Sequence, residues 1–413
     1  MAKIAVLGYG VVGSGTVEVF YKNKENLEKK AGEPLDIKYI LDVRDFPDSP
    51  YADKFVKDFN VILNDPEISV VSEVIGGLKP AYDFVKSALT AGKSVVTSNK
   101  ELVAAKGAEL LKIAKEKNVN FFFEASVGGG IPIIKPIHAC LEANEIDEIA
   151  GILNGTTNFI LTKMIRDGIG FDEALKTAQE LGYAERNPTA DVEGFDACRK
   201  ICILASLAFG RHVYPESVHT EGITKITLDD VSYIDSYNAK IKLIGCVRRE
   251  DKGEISIGVF PAVIKDESQL AGVNDVFNAI LVRGDATGDV VFYGKGAGKL
   301  PTASAVVSDI ISAVKHSDTS RSLTWADSEQ TFVRPFEEFT CANYIRVSIK
   351  DSESAKATVK ELFGDVEYLS TKGSNSGELA FVTDVMREKD ALDKCAGLPD
   401  GFGVPVRIRV LDY

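Results

Sequence analysis

The sequence predicts an α/β protein: an N-terminal doubly wound parallel sheet, an α+β region after it, and a small terminal module of ferredoxin-like order. Three observations predict this. The β-branched run Lys3 to Leu7 feeds directly into Gly8-Tyr9-Gly10-Val11-Val12-Gly13 and then a helical pattern. Apolar strands alternate with helical stretches as far as Glu124, the arrangement that builds a parallel sheet with helices on both faces. From Tyr344 onward the pattern reads strand, helix, strand, strand, helix, strand.

Bulk properties narrow the function classes. A chain of 413 residues is long for one core and points to two or three domains. Its net charge of −13 argues against a nucleic-acid or anionic-membrane partner, since both require a positive surface. The six cysteines are scattered, and the closest two, Cys198 and Cys202, lie on an apolar helical pattern, so a reduced, cytoplasmic protein is expected. The opening MAKIAVLGYG has no basic region before a cleavable apolar run, and no stretch reaches eighteen uninterrupted apolar residues.

Taken in order, Lys3 to Leu7 is the first strand. The glycines that follow it permit a tight turn and close approach of a pyrophosphate to a helix N-terminus, the Rossmann fingerprint for a nicotinamide-type dinucleotide. Gly8, Gly10, Val11, Val12 and Gly13 are the candidate cofactor residues here. The second strand, Ile37 to Leu41, ends at Asp42, a candidate acceptor for ribose hydroxyls, which favours NAD. Arg44 two positions later would instead neutralise a 2′-phosphate, and the plainer reading of Asp42 is a turn residue before the DFPDSP loop.

Val70 to Ile75 is the next strand, ending in Gly76-Gly77, and Gly76 joins the cofactor set because ligands collect at the carboxyl ends of such strands. A helix from about Pro80, the strand Ser94 to Thr97, another helix and the run Asn120 to Glu124 complete the region. Lys100 alone reads as an exposed lysine at a helix start. Three consecutive glycines, Gly128 to Gly130, cannot be a packed strand and read first as a domain hinge.

After a helix through His138 and Cys140, the strand Glu145 to Leu153 ends in Asn154-Gly155-Thr156-Thr157-Asn158, where Asn and Thr are expected helix caps. Phe171-Asp172 reads as a hydrophobic staple and N-cap. The stretch from Ala178 to Lys200 offers Glu185 in a Pro-interrupted loop. Asp196 and Lys200 follow, four apart on one helix face. No charge follows Lys200 before the helix stops at Gly210, so this lysine is expected to be partly desolvated. Desolvation pulls an ammonium pKa toward neutrality, which suits a proton donor.

Beyond Gly210, alternating runs at Val218 to Ile223, Ile241 to Arg249, Ile255 to Ile264, Ala279 to Val282 and Val290 to Tyr293 predict a largely antiparallel sheet. Gly294 to Ala303 opens a helix over Ser304 to Ala313, with Pro301 in its first turn and amides free for an anion near Gly298; the plainer reading is an interdomain hinge. His316 to Cys341 reads as a polar, irregular linker.

The run from Ala178, with Gly182, Pro188, Asp191, Gly194, Asp196 and Lys200 at these spacings, resembles the signature of the homoserine dehydrogenases. The resemblance covers Lys3 to about Val314 well and the last quarter loosely. It implies NAD- or NADP-dependent interconversion of L-homoserine and L-aspartate 4-semialdehyde, a small-molecule reaction on the way to threonine and methionine. It implies Lys200 as proton donor, Asp196 holding it in place, and Lys100 between cofactor and substrate.

By the same resemblance, Glu185 with Asn154, Gly155 and Thr156 would bind substrate, and Gly298 would mark the chain's return to the cofactor domain. Glu124 and the carbonyls of Val127, Gly129 and Ile131 would hold a sodium-like ion. The implied domains are 1–131 plus about 294–316 for the dinucleotide, 132–293 for catalysis and dimerisation, a 317–342 linker, and a 343–413 module resembling the amino-acid-sensing ACT type. A homodimer or homotetramer is implied.

The ACT turn after the first module strand usually carries a glycine, but here it is Asp351-Ser352-Glu353-Ser354, which questions effector binding. Two rivals stand beside this reading. A non-catalytic dinucleotide sensor would share the glycine loop but have no use for Glu185, Asp196 and Lys200. An acyl-thioester oxidoreductase would need a cysteine activated by a base, and no such pairing is evident.

Overall fold

The computed structural model describes residues 1–413 apart from 318, 321–322, 329–331 and 372–376. Strands β1 (Ala2–Leu7), β2 (Leu35–Leu41), β3 (Phe55–Val56), β4 (Ile68–Glu73), β5 (Ser94–Thr97) and β6 (Phe121–Phe122) form one sheet ordered β3-β2-β1-β4-β5-β6. Every pairing in it is parallel. Alternate residues along the strands serve two cores. Ile4, Val6, Val70 and Val96 pack with Val17, Phe20, Val306 and Ile310, whereas Ala5, Leu7, Val71 and Val95 pack with Val85, Leu89, Leu102 and Leu110. Burial on both faces is what a doubly wound sheet requires.

The strand order reverses between β1 and β4, so a crevice opens at their carboxyl ends. β3 escapes sequence reading because two residues carry no periodicity. β4 stops at Glu73, two residues short of the expected run, because its carboxylate turns back onto the amides of Ile75 and Gly76.

The second sheet is mixed. Its strands are β7 (Ile146–Ile152), β8 (His219–Thr220), β9 (Ala239–Arg249), β10 (Ile255–Lys265), β11 (Phe277–Gly284), β12 (Gly288–Lys295), β13 (Thr340–Ser348), β14 (Glu367–Leu369), β15 (Glu378–Val382), β16 (Met386–Arg387) and β17 (Val406–Leu411). They run β12-β11-β7-β9-β10-β17-β13-β15-β14, with β8 beside β10 and β16 beside β13. One face meets the helices Gly155–Asp167 and Phe195–Phe209 through Leu153, Phe159, Ile160, Ile201 and Leu204. The other buries Ile244, Phe260 and Leu281 under Leu270, Phe339 and Leu411.

The terminal segment has the expected order, with β17-β13-β15-β14 antiparallel and a core of Ile345, Val359, Phe363 and Phe381. It is not hung on a linker, however. β17 pairs in parallel with β10, Ala262 opposite Arg409, so the sheet continues from body to module.

The segment expected to be a polar linker is, where described, packed against the body. Leu323, Trp325, Phe332 and Phe339 are buried, and Arg334 pairs with Glu250 and Glu254. The reading as polar weighed its charges over these apolar side chains. Trp325 Nε1 donates to His212 Nδ1 at 3.0 Å, and His212 Nε2 lies 2.9 Å from the Ala104 carbonyl. Burial lowers the His212 pKa, so the imidazole stays neutral and uses both nitrogens.

Two local expectations are corrected. The N-cap of Phe171–Glu180 is Gly170, with no side-chain cap; Asp172 sits inside the first turn, where its charge favours the helix dipole. The helix through His138 is a single π turn, Pro136–Cys140.

Candidate active site

The helix Phe195–Phe209 begins after Gly194 and ends at Gly210, and its apolar length is buried as the sequence implied. Asp196 in its first turn is 4% exposed and Lys200, one turn on, 7% exposed. Lys200 Nζ donates to Asp196 Oδ2 and to the Leu153 carbonyl, both at 2.7 Å. The other carboxylate oxygen, Oδ1, lies 2.7 Å from Lys100 Nζ. Lys100 is the first residue of the helix Lys100–Glu116 in the cofactor-side sheet, so one carboxylate joins amines from both halves of the molecule.

The two amines differ in environment. Burial lowers the Lys200 pKa and outweighs the attraction of Asp196, while the neighbouring Lys100 charge lowers it further. The field of Asp196 raises the Lys100 pKa. Burial alone would raise the Asp196 carboxyl, but the two ammoniums prevail and hold it well below the usual range.

Asn154 does two things. Its Oδ1 caps the helix Gly155–Asp167 by accepting the Thr157 amide at 2.8 Å, as the plainer reading expected. Its Nδ2 donates to Asp196 Oδ2 at 2.9 Å and to Asp191 Oδ1 at 2.7 Å. Asp191, half-buried, has a carboxyl raised chiefly by burial. It was quoted in the sequence signature but not singled out as a site residue. The Leu153 carbonyl was missed as well, since a backbone group leaves no trace in residue type.

Gly155 follows the cap, and Thr156 Oγ1 donates to the Tyr183 carbonyl at 2.7 Å, tying this loop to the one that carries Glu185. Glu185 is exposed, and its carboxylate forms no ion pair among the described residues.

At the dinucleotide turn, Gly8 has φ +98° and Gly13 lies so close beneath it that a Cβ on Gly13 would stand 1.9 Å from the Gly8 carbonyl oxygen. Gly10 is the N-cap of the helix Val11–Lys22 and offers no side chain; Val11 is 69% exposed beside it and Val12 half-buried. The helix start is therefore open for a pyrophosphate. Gly298 caps the helix Lys299–Lys315, which packs on this helix at Gly15, where a Cβ would lie 2.9 Å from Lys299. Gly76 follows Ile75, whose Cα would stand 3.2 Å from a Cβ on Gly8.

Asp42 and Arg44 are paired with each other. The guanidinium grips both carboxylate oxygens, at 3.0 and 2.9 Å, and the amides of Arg44 and Tyr9 add bonds of 2.9 and 2.7 Å. Arg44 accordingly holds the Asp42 carboxyl well below the carboxylate range. The turn role and the charged role of Asp42 thus coexist.

Glu124 is buried, and its carboxylate accepts the amides of Ile133, Ile134 and Lys135 at 2.6 to 2.8 Å. It caps the chain as it leaves the parallel sheet. The carbonyls of Val127, Gly129 and Ile131 accept no hydrogen bond among the described residues, so these oxygens fit a cation, while Glu124 has one remaining acceptor position to share. No cluster of three or more His, Cys, Asp or Glu suited to a metal occurs among the described residues.

Comparison with known proteins settles the lineage. Residues 132–311 match the family model described as homoserine dehydrogenase, and residues 8–124 match that of the homoserine dehydrogenase NAD-binding domain. The chain belongs to the homoserine dehydrogenases. Among these, that of Bacillus subtilis is 38% identical over 96% of this chain and 95% of its own. The crystal structure of a homoserine dehydrogenase from Thiobacillus denitrificans superposes with a TM-score of 0.92 at 36% identity, covering 100% of this chain and 98% of that one. A hyperthermophilic archaeal homoserine dehydrogenase mutant in complex with NADPH matches 76% of this chain and 97% of its own, with a TM-score of 0.64 and 30% identity.

A homoserine dehydrogenase is an NAD(P)-dependent oxidoreductase, and the matched NAD-binding domain coincides with the glycine turn and parallel sheet described above. The sensor reading has no support among these relatives. Among the described residues no helix is long and apolar enough to cross a membrane.

Proposed function

We propose that Lys100, Asp196 and Lys200 form the catalytic centre of the homoserine dehydrogenase reaction, with Lys200 as the proton donor and acceptor. The observation that carries this is the single carboxylate held at 2.7 Å by two amines from two domains. A nicotinamide held at the glycine turn would supply or take the hydride. As charge grows on the aldehyde oxygen, Lys200 gives it a proton. Two of its three N–H bonds are already fixed by Leu153 and Asp196, so the third is the one aimed at substrate. Lys100 adds positive charge beside the reacting oxygen, and Asp196 keeps the two ammoniums from repelling each other apart. In the oxidative direction neutral Lys200 takes the hydroxyl proton.

Glu185 receives the substrate ammonium, which the free carboxylate supports, and Asn154, Gly155 and Thr156 lie on the adjoining loop, tied to it through the Tyr183 carbonyl. The cofactor is NAD or NADP, and the Asp42–Arg44 pair sets the preference. A ribose hydroxyl competes with Arg44 for Asp42, whereas a 2′-phosphate recruits the exposed Arg44. A monovalent, sodium-like ion at the Val127, Gly129 and Ile131 carbonyls beside Glu124 is part of the reading.

So is an ACT-type role for residues 343–413, in assembly or in amino-acid sensing, within a cytoplasmic homodimer or homotetramer. Asp351 caps the helix after β13 directly, its Oδ2 accepting the Ser354 amide at 2.8 Å, where an effector turn would carry glycine.

The test is homoserine oxidation, followed by absorbance of the reduced nicotinamide, with NAD and NADP side by side and with and without threonine. Lys200→Ala should lower kcat by about 10²- to 10⁴-fold while dinucleotide binding is retained; undiminished turnover rejects the role.

A further inference from the structure

Glu73 is fully buried at the carboxyl end of β4, and among the described residues no basic side chain pairs with it. A buried carboxylate is costly unless its oxygens are hydrogen-bonded. Here three bonds serve the two oxygens. Oε1 accepts the amides of Ile75 at 2.7 Å and Gly76 at 3.1 Å, and Oε2 accepts the Thr97 hydroxyl at 2.6 Å. The Thr97 oxygen then accepts the Asn99 amide at 2.9 Å. Asn99 in turn bonds the Gly77 carbonyl at 2.6 Å and caps the next helix through the Leu102 amide at 3.1 Å.

The chain of bonds joins two walls of the site. One end is the turn Ile75 to Gly77, which faces the dinucleotide loop so closely that a methyl on Gly8 would lie 3.2 Å from Ile75 Cα. The other end is the start of Lys100–Glu116, whose first residue pairs with Asp196. Taking two amides on one oxygen and a hydroxyl on the other engages both ends of the carboxylate, and the result is a fixed spacing between the β4 turn and Lys100.

We propose that Glu73 is a positioning residue. It sets Lys100 relative to the nicotinamide side of the crevice, so that the dinucleotide and the Lys100–Asp196–Lys200 centre stay in register. This rests on the catalytic reading above and adds a residue outside it.

The experiment compares Glu73→Gln, Thr97→Val and Thr97→Ser with the unaltered chain. It reads reduced-dinucleotide affinity by nicotinamide fluorescence, kcat, KM for homoserine, the pH profile of kcat, and thermal melting. Glu73→Gln replaces the oxygen that accepts the Thr97 hydroxyl with an NH₂, so that bond must reverse and the hydroxyl must turn away, and Thr97→Val deletes the bond between the two walls. Both should weaken dinucleotide binding and lower kcat on the order of 10- to 100-fold, with KM for homoserine little changed and the acidic limb of kcat displaced. Thr97→Ser should restore all of these.

If melting falls while affinity, kcat and the pH profile stay as in the unaltered chain, Glu73 is a folding residue only and the proposal is overturned. Should Glu73→Gln not fold, the Thr97 pair decides. Should the unaltered chain fail to oxidise homoserine, the catalytic reading fails by itself, and the affinity measurements still decide the part played by Glu73 in the crevice.

Discussion

Asp196 shapes the titration of both lysines, because each bonds one of its two oxygens. Removing the Lys100 charge lifts a repulsion that now depresses the Lys200 pKa. Lys100→Met should therefore move the acidic limb of kcat for homoserine oxidation, where Lys200 gains its proton and can no longer act as base, to higher pH, and lower kcat by about 10²- to 10³-fold. A pH-rate profile checks this, and a limb that stays or moves down refutes it. The partnership of Asp196 with Lys200 was legible in the sequence, since four residues along a helix share a face. That of Asp196 with Lys100 was not legible from spacing, because nothing in spacing reports a contact between two folding units; there the resemblance carried the expectation. Glu73 lay inside a strand pattern with no signal beyond being acidic.

Among the elements, the glycine turn is the least tolerant of change. Gly13→Ala forces a methyl into the Gly8 carbonyl oxygen, and the backbone on either side must move apart. The expected result is a loss of about 1–3 kcal/mol in stability. Dinucleotide affinity should fall roughly tenfold or more in an equilibrium titration, because the turn that receives the pyrophosphate is displaced. The strands around this turn were readable as apolar runs, and Ser94 to Thr97 was bounded correctly. Misjudged elements share a cause. β3 is too short to show a period, β4 ends where a side chain caps its own turn, and the supposed linker hides its anchoring aromatics among charges.

For the whole molecule, the shared sheet is reinforced by a buried ion-pair network. Arg409 on β17 bonds Glu221 at 2.7 Å and Glu388 at 2.5 Å, and stacks on Phe260 and Phe336. Arg407 also pairs with Glu388. Burial opposes ionisation of Glu221, but His219 and Arg409 outweigh it and hold its carboxyl at about 2, below the ordinary 4.5. A depressed carboxyl stabilises the fold above its unfolded pKa and loses that contribution as pH falls through the folded value. Glu221→Gln should therefore flatten the loss of stability between about pH 4.5 and 2 in denaturant melts. An unchanged slope refutes the assignment. That the module had the βαββαβ order could be read from its pattern; that β17 would join β10 could not, because an edge-to-edge pairing is written in backbone groups.

The imidazole of His212 bears on how the two halves are held. It ties Ala104, one turn beyond Lys100, to the chain just past the helix that holds Lys200. Such a tie resists sliding of one helix past the other, so the spacing of the two ammoniums is braced from outside the crevice as well as by the carboxylate between them.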